Sequence, residues 1–480
     1  MGSSRMSTPL HRRQPLKAAL FASALAIAAP AFAQEEKTIG LGEQTGVAVT
    51  IYNEDLALVK DRRTVSLDPG VNRLAFVDVS ARIRPETALV GTAEGRLSVL
   101  EQNFDFDLLT PEKLLEKSVG GTVRVVRTHP ETGEETVEEA TVLSVAGGVV
   151  LRIGDRIETA PPGRIVFAEV PPNLRARPTL VVSVENETAG DTPVELAYLT
   201  GGLSWRADYV AALSPDETTL DLNGLVTLTN TSGTSYREAR LQLVAGDVNR
   251  VREMIMYRAD MAAQAEAAPA PSMTQEALFE YHLYTLDRPT TIADNQTKQV
   301  ALLSGSGIPV TKEYRFVNIA NAYDYVQAEA PRSNATVRIA FDNSEAARLG
   351  LPLPGGTVRV YKNDSGGQAL FVGEDAIQHT PKGETVRLTL GQAFDVTARA
   401  RQTAFERISD RVFEAAYEIE VKNAKTEDVT VVVAETIPGE WEILSESIAH
   451  EKTSAFQAEW QVPVPAEGST KLTYRVRIEY

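Results

Sequence analysis

TPVELAYLTGGLSWRADYVAALSPDETTLDLNGLVTLTNTSGTSYREARLQLVAGDVNR, residues 192–250, carries the densest strand patterning in the chain. Val194, Leu196 and Tyr198 alternate with polar or small neighbours, as do Leu220 and Leu222, and Val226 and Leu228 interleave with Leu225, Thr227 and Thr229. This period of two belongs to half-buried strands, and no helical period competes with it. Gly201-Gly202, Ser214-Pro215-Asp216 and Asn230-Thr231-Ser232-Gly233 separate the runs. Such residues supply positive φ, fix φ or hydrogen-bond their own backbone, so each is expected to reverse the chain between neighbouring strands. Trp205 and Arg206 follow the glycine pair. Two readings fit them: an indole buried on the sheet under the Arg stem, or, with Tyr209, a rigid recognition surface.

Towards the N-terminus, Arg5, Arg12, Arg13 and Lys17 precede an Ala/Leu-rich run ending in Ala31-Phe32-Ala33. These are the three parts of a secretory signal peptide over residues 1–33, and the chain is expected to be exported to the periplasm or surface of a Gram-negative bacterium. Cleavage would leave 447 residues, about three domains by length, and move the formal charge from −17 to −21. So acidic a surface argues against nucleic acid as a partner. With no cysteine, an exported chain must rest on buried cores rather than disulfides. No later stretch has the roughly eighteen apolar residues of a spanning helix.

The rest reads as all-β: tandem immunoglobulin-like sandwich modules built of short strands with frequent turns. Residues 34–186 form an N-terminal β region. Thr110-Pro111-Glu112 there signals a short helix over 111–117, and tightly spaced strands over about 120–170 suggest a small inserted barrel of the SH3 type. Residues 187–401 form a central domain and residues 402–480 a C-terminal sandwich. Four strands end alike, on Asn186, Asn230, Asn343 and Asn423, a residue whose side chain can replace a backbone hydrogen bond at a turn.

Residues 254–278 break the pattern with an Ala-, Met- and Pro-rich insertion expected to be flexible. Met254, Met256, Met261 and Met273 are all the methionines beyond the signal. They suit an adaptable contact with a partner, or copper(I), which takes thioether ligands.

Catalytic signatures are scarce. His129, His282, His379 and His450 are scattered without a zinc-binding spacing. Gly202-Leu203-Ser204-Trp205-Arg206 lacks the final glycine of a nucleophile elbow. Glu374, Asp375, His379 and Glu384 lie within eleven positions. A strand, turn and return could bring them together for acid–base hydrolysis; a solvated hairpin explains them as well. No cofactor is expected.

YLTGGLSWRADYV, VTLTNTSGTSYREARLQLVAGDVN and GEDAIQHTPKGETVRLTLGQAFDV resemble the bacterial domain-of-unknown-function family 4139, over roughly Val194 to Tyr480, and VTIYNEDLALVKDRRTV is similar to a region that often precedes that domain. The resemblance implies an exported β-rich protein and carries over no catalytic residue. The expectation is a non-catalytic cell-envelope protein that binds an envelope protein or glycan or serves assembly. The alternatives are a carboxylate-dependent periplasmic hydrolase and a copper(I) binder.

Overall fold

The structure, a computed structural model, describes residues 36–92, 97–105, 108–159, 163–171, 174–246, 273–320, 322–326 and 330–480. Residues 1–33, and with them the signal segment, lie outside these. The fold is all-β: among the described residues there are thirty-one strands and one α-helix, Pro111–Lys117, in five sheets. The helix begins where expected, with Thr110 accepting the Lys113 N–H. Among the described residues no helix is long and apolar enough to cross a membrane.

Leu203–Leu213 and Thr219–Asn230 form an antiparallel pair at the centre of a five-stranded sheet, flanked by Gln296–Pro309 on one side and by Gly356–Asn363 and Ala369–Ile377 on the other. Their neighbours in sequence lie in another sheet. Gly190–Thr200 pairs with Leu56–Leu67, and Tyr236–Ala245 runs parallel to Gln44–Tyr52. Of the three expected reversals, only Ser214–Asp216 makes a hairpin. Gly201-Gly202 and Asn230–Gly233 carry the chain from one sheet to the facing one. Alternation within a strand is the same for either connection, so only packing distinguishes them.

These two crossings meet at one corner of the sandwich. Gly202 has φ of 80°, and a Cβ there would lie 2.6 Å from Ser232 Cα. Ser80, Thr200, Asn230 and Ser232 are buried beside it. The Ser80 and Thr200 hydroxyls lie 2.6 Å apart, Ser80 Oγ donates to Ser232 O at 3.0 Å, and Ser232 Oγ donates to Asn230 Oδ1 at 2.7 Å. Every hydroxyl in the knot has a partner, which removes the cost of burying it.

The four strand-ending asparagines act alike. Each is buried, and each donates from Nδ2 to a carbonyl of the returning loop: Thr188 for Asn186, Thr234 for Asn230, Leu351 for Asn343 and Glu427 for Asn423.

A four-stranded sheet (Glu36–Ile39, Gly70–Val77, Thr179–Asn186 and Leu97–Asp105) shares the first apolar core with the two sheets of the sandwich. Between its last two strands in sequence is inserted a five-stranded sheet, a four-stranded meander from Thr122–Thr128 to Arg156–Thr159 with Arg164–Val166 returning to pair with Thr122–Thr128, and with its own small core around Val125, Val142 and Leu151. The insertion stands where expected, but it is not a closed barrel: its outer strands Arg156–Thr159 and Arg164–Val166 do not pair with each other.

A nine-stranded sheet builds the second core. Tyr474, on Gly468–Glu479, and Trp460, on Gln457–Val464, stand near opposite ends of its strand order, yet their rings stack at 4.7 Å. The sheet is therefore folded over into two layers. It also takes in Thr311–Val317, Ser333–Asp342 and the 23-residue strand Thr385–Arg407, so the unit expected to begin at 402 draws strands from well before it. A boundary at 186/187 likewise cuts through paired strands. Two strands explain this. On Ser333–Asp342, Ile339 and Phe341 enter the first core and Ala335 the second; on Thr385–Arg407, Val386 and Leu388 enter the first and Val396, Ala398 and Ala400 the second. The two cores are joined by continuous strands, not by a linker.

Candidate functional site

At the waist between the cores the two shared strands shift register twice. The pairing of its two shared strands runs Ile339 with Leu388, Val337 with Gly391 and Thr336 with Gln392, then jumps to Asn334 with Thr397. Ala393–Val396 are thereby opposed by Ala335 alone, a wide bulge that holds Phe394 out into solvent, 90% exposed. Ala369–Ile377 crosses over the same strand at Gly373, where a Cβ would collide with Leu390 O. Only glycine allows so close a backbone approach.

This crossing leaves a cleft of about 170 Å³, floored by Leu213, Val337, Ile339 and Leu390, with Lys312, Lys362 and Glu217 at its wall. Glu217 is placed by the Leu213–Thr219 turn. Ser214 Oγ accepts the Thr218 and Thr219 N–H groups and donates to Asp216, and Glu217 takes φ of 60°. Its carboxylate then lies 2.5 Å from Lys312 Nζ, on the nine-stranded sheet, and 2.6 Å from Lys362 Nζ, on the five-stranded sheet. Burial pushes the Glu217 carboxyl up, but hydrogen bonds from both lysines outweigh it and hold the group below its ordinary value. For Lys312, burial opposes the charge, and Glu217 and Tyr314 restore and raise it. The triad carries one uncompensated positive charge on a protein of strongly negative net charge.

Beside the cleft, Ala369–Ile377 is the last strand of its sheet, and no strand among the described residues pairs with its outer edge. Leu370, Phe371 and Val372 are 52%, 56% and 41% exposed there. Exposed apolar edge strands are templates for pairing with another chain, and proteins usually blunt them.

The other anticipated residues fall elsewhere. Trp205 and Tyr209 are buried in the first core, and the Tyr209 hydroxyl donates to Pro354 O at 2.8 Å; they form no recognition surface. Arg206 is exposed, and its Nε donates to Asp208 at 3.2 Å. An inward strand register therefore decides against the surface reading. Met273 is buried in the first core and Thr274–Leu278 is a strand, so the end of the 254–278 insertion is folded. Met254, Met256 and Met261 lie outside the described residues.

Glu374, Asp375, His379 and Glu384 do not converge. Ala369–Ile377 and Thr385–Arg407 belong to different sheets, so the expected hairpin is absent. Glu374 pairs with Arg359 at 3.1 Å, Asp375 accepts the Thr389 N–H, and His379 Nδ1 accepts the Gly355 N–H while its Nε2 lies 3.4 Å from Asn53 Nδ2. Glu384 is exposed, between the Lys382-Gly383 turn and the strand Thr385–Arg407.

Two further groups escaped the sequence reading. His450 Nδ1 lies 3.0 Å from Glu446, which also accepts the Trp460 indole N–H at 2.9 Å. Glu435 is fully buried in the second core, where it accepts the Ile319 and Ala320 N–H groups at 3.1 Å, with the Tyr323 hydroxyl at 3.5 Å. Burial pushes its carboxyl up to about 8. The spacing of Glu446 and His450 was a readable sign; Glu435, inside VTVVVAETIP, gave none.

An all-β protein of two conjoined cores with an open cleft and a bare strand edge at their waist is the class these features define. The chain belongs to the family described as Domain of unknown function (DUF4139), which matches residues 194–480. The matched region starts inside Gly190–Thr200, whose partner Leu56–Leu67 lies outside it, so the earlier strands complete the first sandwich. No curated protein matches the sequence.

Proposed function

We propose that this is a non-catalytic, exported cell-envelope protein that acts by binding a protein partner, with the waist as its contact surface. The signal-like pattern of residues 1–33 supports export. The observation that carries the binding reading is the unpaired edge of Ala369–Ile377, along which Leu370, Phe371 and Val372 are all exposed, beside the cleft. A strand added along such an edge gains main-chain hydrogen bonds, and the alternating side chains supply selectivity. The scattered positions of Glu374, Asp375, His379 and Glu384 give the hydrolase reading no support.

The test is photo-crosslinking in expressing cells from a photoreactive residue at Phe371, with Ile157 on the inserted meander as an equally exposed control. One dominant protein adduct specific to position 371 is expected. Adducts absent from 371, or the same at both positions, would overturn the proposal.

A further inference from the structure

Lys312 and Lys362 approach the waist from different sheets and are separated by fifty positions in the chain, yet both ammonium groups converge on one carboxylate, that of Glu217. An ammonium has three N–H donors; Glu217 occupies one on each lysine and the Tyr314 hydroxyl a further one on Lys312, so one donor remains on Lys312 and two on Lys362. Their side chains are about three-quarters and seven-tenths shielded from solvent, which strengthens any charge they meet relative to open water. Lys425 and Glu427 form a neutral pair nearby, with Lys425 Nζ 3.0 Å from the Tyr314 hydroxyl, and do not cancel the excess. Below the ammonium groups lies an apolar floor, and the cleft of about 170 Å³ is comparable to a cavity known to hold one benzene molecule, of about 150 Å³. Excess positive charge above an apolar floor of that size is complementary to a small anion with an apolar body.

We infer that the waist cleft binds a carboxylate carried on a short apolar body of about six to eight heavy atoms, held by the free donors of Lys312 and Lys362 with its body on Leu213, Val337, Ile339 and Leu390. This rests on the waist being a contact surface and names the chemistry it selects. The same chemistry is offered by a small free carboxylic acid and by the terminal carboxylate of a polypeptide ending in an aliphatic residue. Glu217 is then a built-in competitor: it holds the two lysines in place and limits affinity for a second carboxylate.

Titration calorimetry of the whole protein with 4-methylpentanoate and 4-methylpentanamide tests this, together with the tetrapeptide Ala-Ala-Ala-Leu bearing a free or an amidated C-terminus. The acid is expected to bind about tenfold or more tighter than its amide, the worth of one charge-assisted hydrogen bond. Tighter binding of the free-ended peptide than of 4-methylpentanoate assigns the site to polypeptide ends; binding of the small acid alone assigns it to free acids. Lys362→Gln should weaken the acid about tenfold, and Val337→Phe, which fills the floor, should abolish binding. Glu217→Gln should tighten it about threefold or more, since one opposing charge is removed; a merely structural carboxylate would not produce that gain. Equal affinity for acid and amide, no saturable binding of either, or weakened binding in Glu217→Gln would overturn the inference. A specific Phe371 crosslink in the same protein would then leave the contact surface standing without this ligand class.

Discussion

Glu435→Gln isolates the energetic consequence of burying one carboxyl. In the folded chain this group meets the Ile319 and Ala320 N–H groups, the hydroxyl of Tyr323 and, beyond it, that of Tyr474; no Lys or Arg among the described residues bonds to it. Two N–H donors favour the anion, but burial dominates and the group titrates at about 8 in place of 4.5. The sign follows directly. Below 4.5 folded and unfolded chains both hold the proton, and the contribution is whole. Between 4.5 and about 8 the unfolded chain releases it while the folded chain keeps it, so stability falls by roughly 1.4 kcal/mol per pH unit. The accumulated loss is about 5 kcal/mol at most, and the decline stops above the folded value. Glutamine can accept the same two N–H groups and donate to Tyr323 without a charge, so the variant should lose this slope and be the more stable protein at pH 8. Urea unfolding followed by tryptophan fluorescence at pH 5, 6, 7 and 8 measures it. Trp441 and Trp460 both report on the second core. Parallel pH dependences in the two proteins would refute the assignment of the slope to Glu435.

Two substitutions probe other buried polar groups by the same unfolding assay. Asn343→Ala leaves the Leu351 and Pro381 carbonyls and the Gly350 N–H without their side-chain partner; a loss of about 1–3 kcal/mol is expected, and none would show that water replaces the side chain. Arg63→Ala strands buried Asp61, which the guanidinium meets at 2.7 Å while Nη1 also serves the Ile39 and Val77 carbonyls. It should cost about 3–5 kcal/mol, and the double variant Arg63→Met with Asp61→Leu should recover most of that if the penalty is an unpaired charge.

Much of the local structure was legible because its causes are local. The Thr110-Pro111-Glu112 run places the helix start, since cap, fixed φ and first-turn acid act within one turn. The four asparagines mark strand ends because each bonds a loop close to it in sequence. The alternation that identified Gly190–Thr200 and Thr219–Asn230 as strands could not say that they lie in different sheets, nor that Trp205 and Tyr209 point inward. Glu374 and Glu384 looked like the two arms of a hairpin because a turn lies between them; the second arm instead pairs with Ser333–Asp342, and the acids part company.

The waist was not legible at all. Lys312 stands 95 positions from Glu217 and Lys362 stands 145 from it, and neither lysine carries a local sign of its partner. Strand period, turn chemistry and caps are short-range consequences of backbone geometry and side-chain type, so the residues alone settle an all-β chain with its strand ends and its helix. Which strands share a sheet, which core each half of a long strand enters and which charges meet across the waist depend on burial of apolar faces contributed by distant segments. Those were decided only when the chain packed.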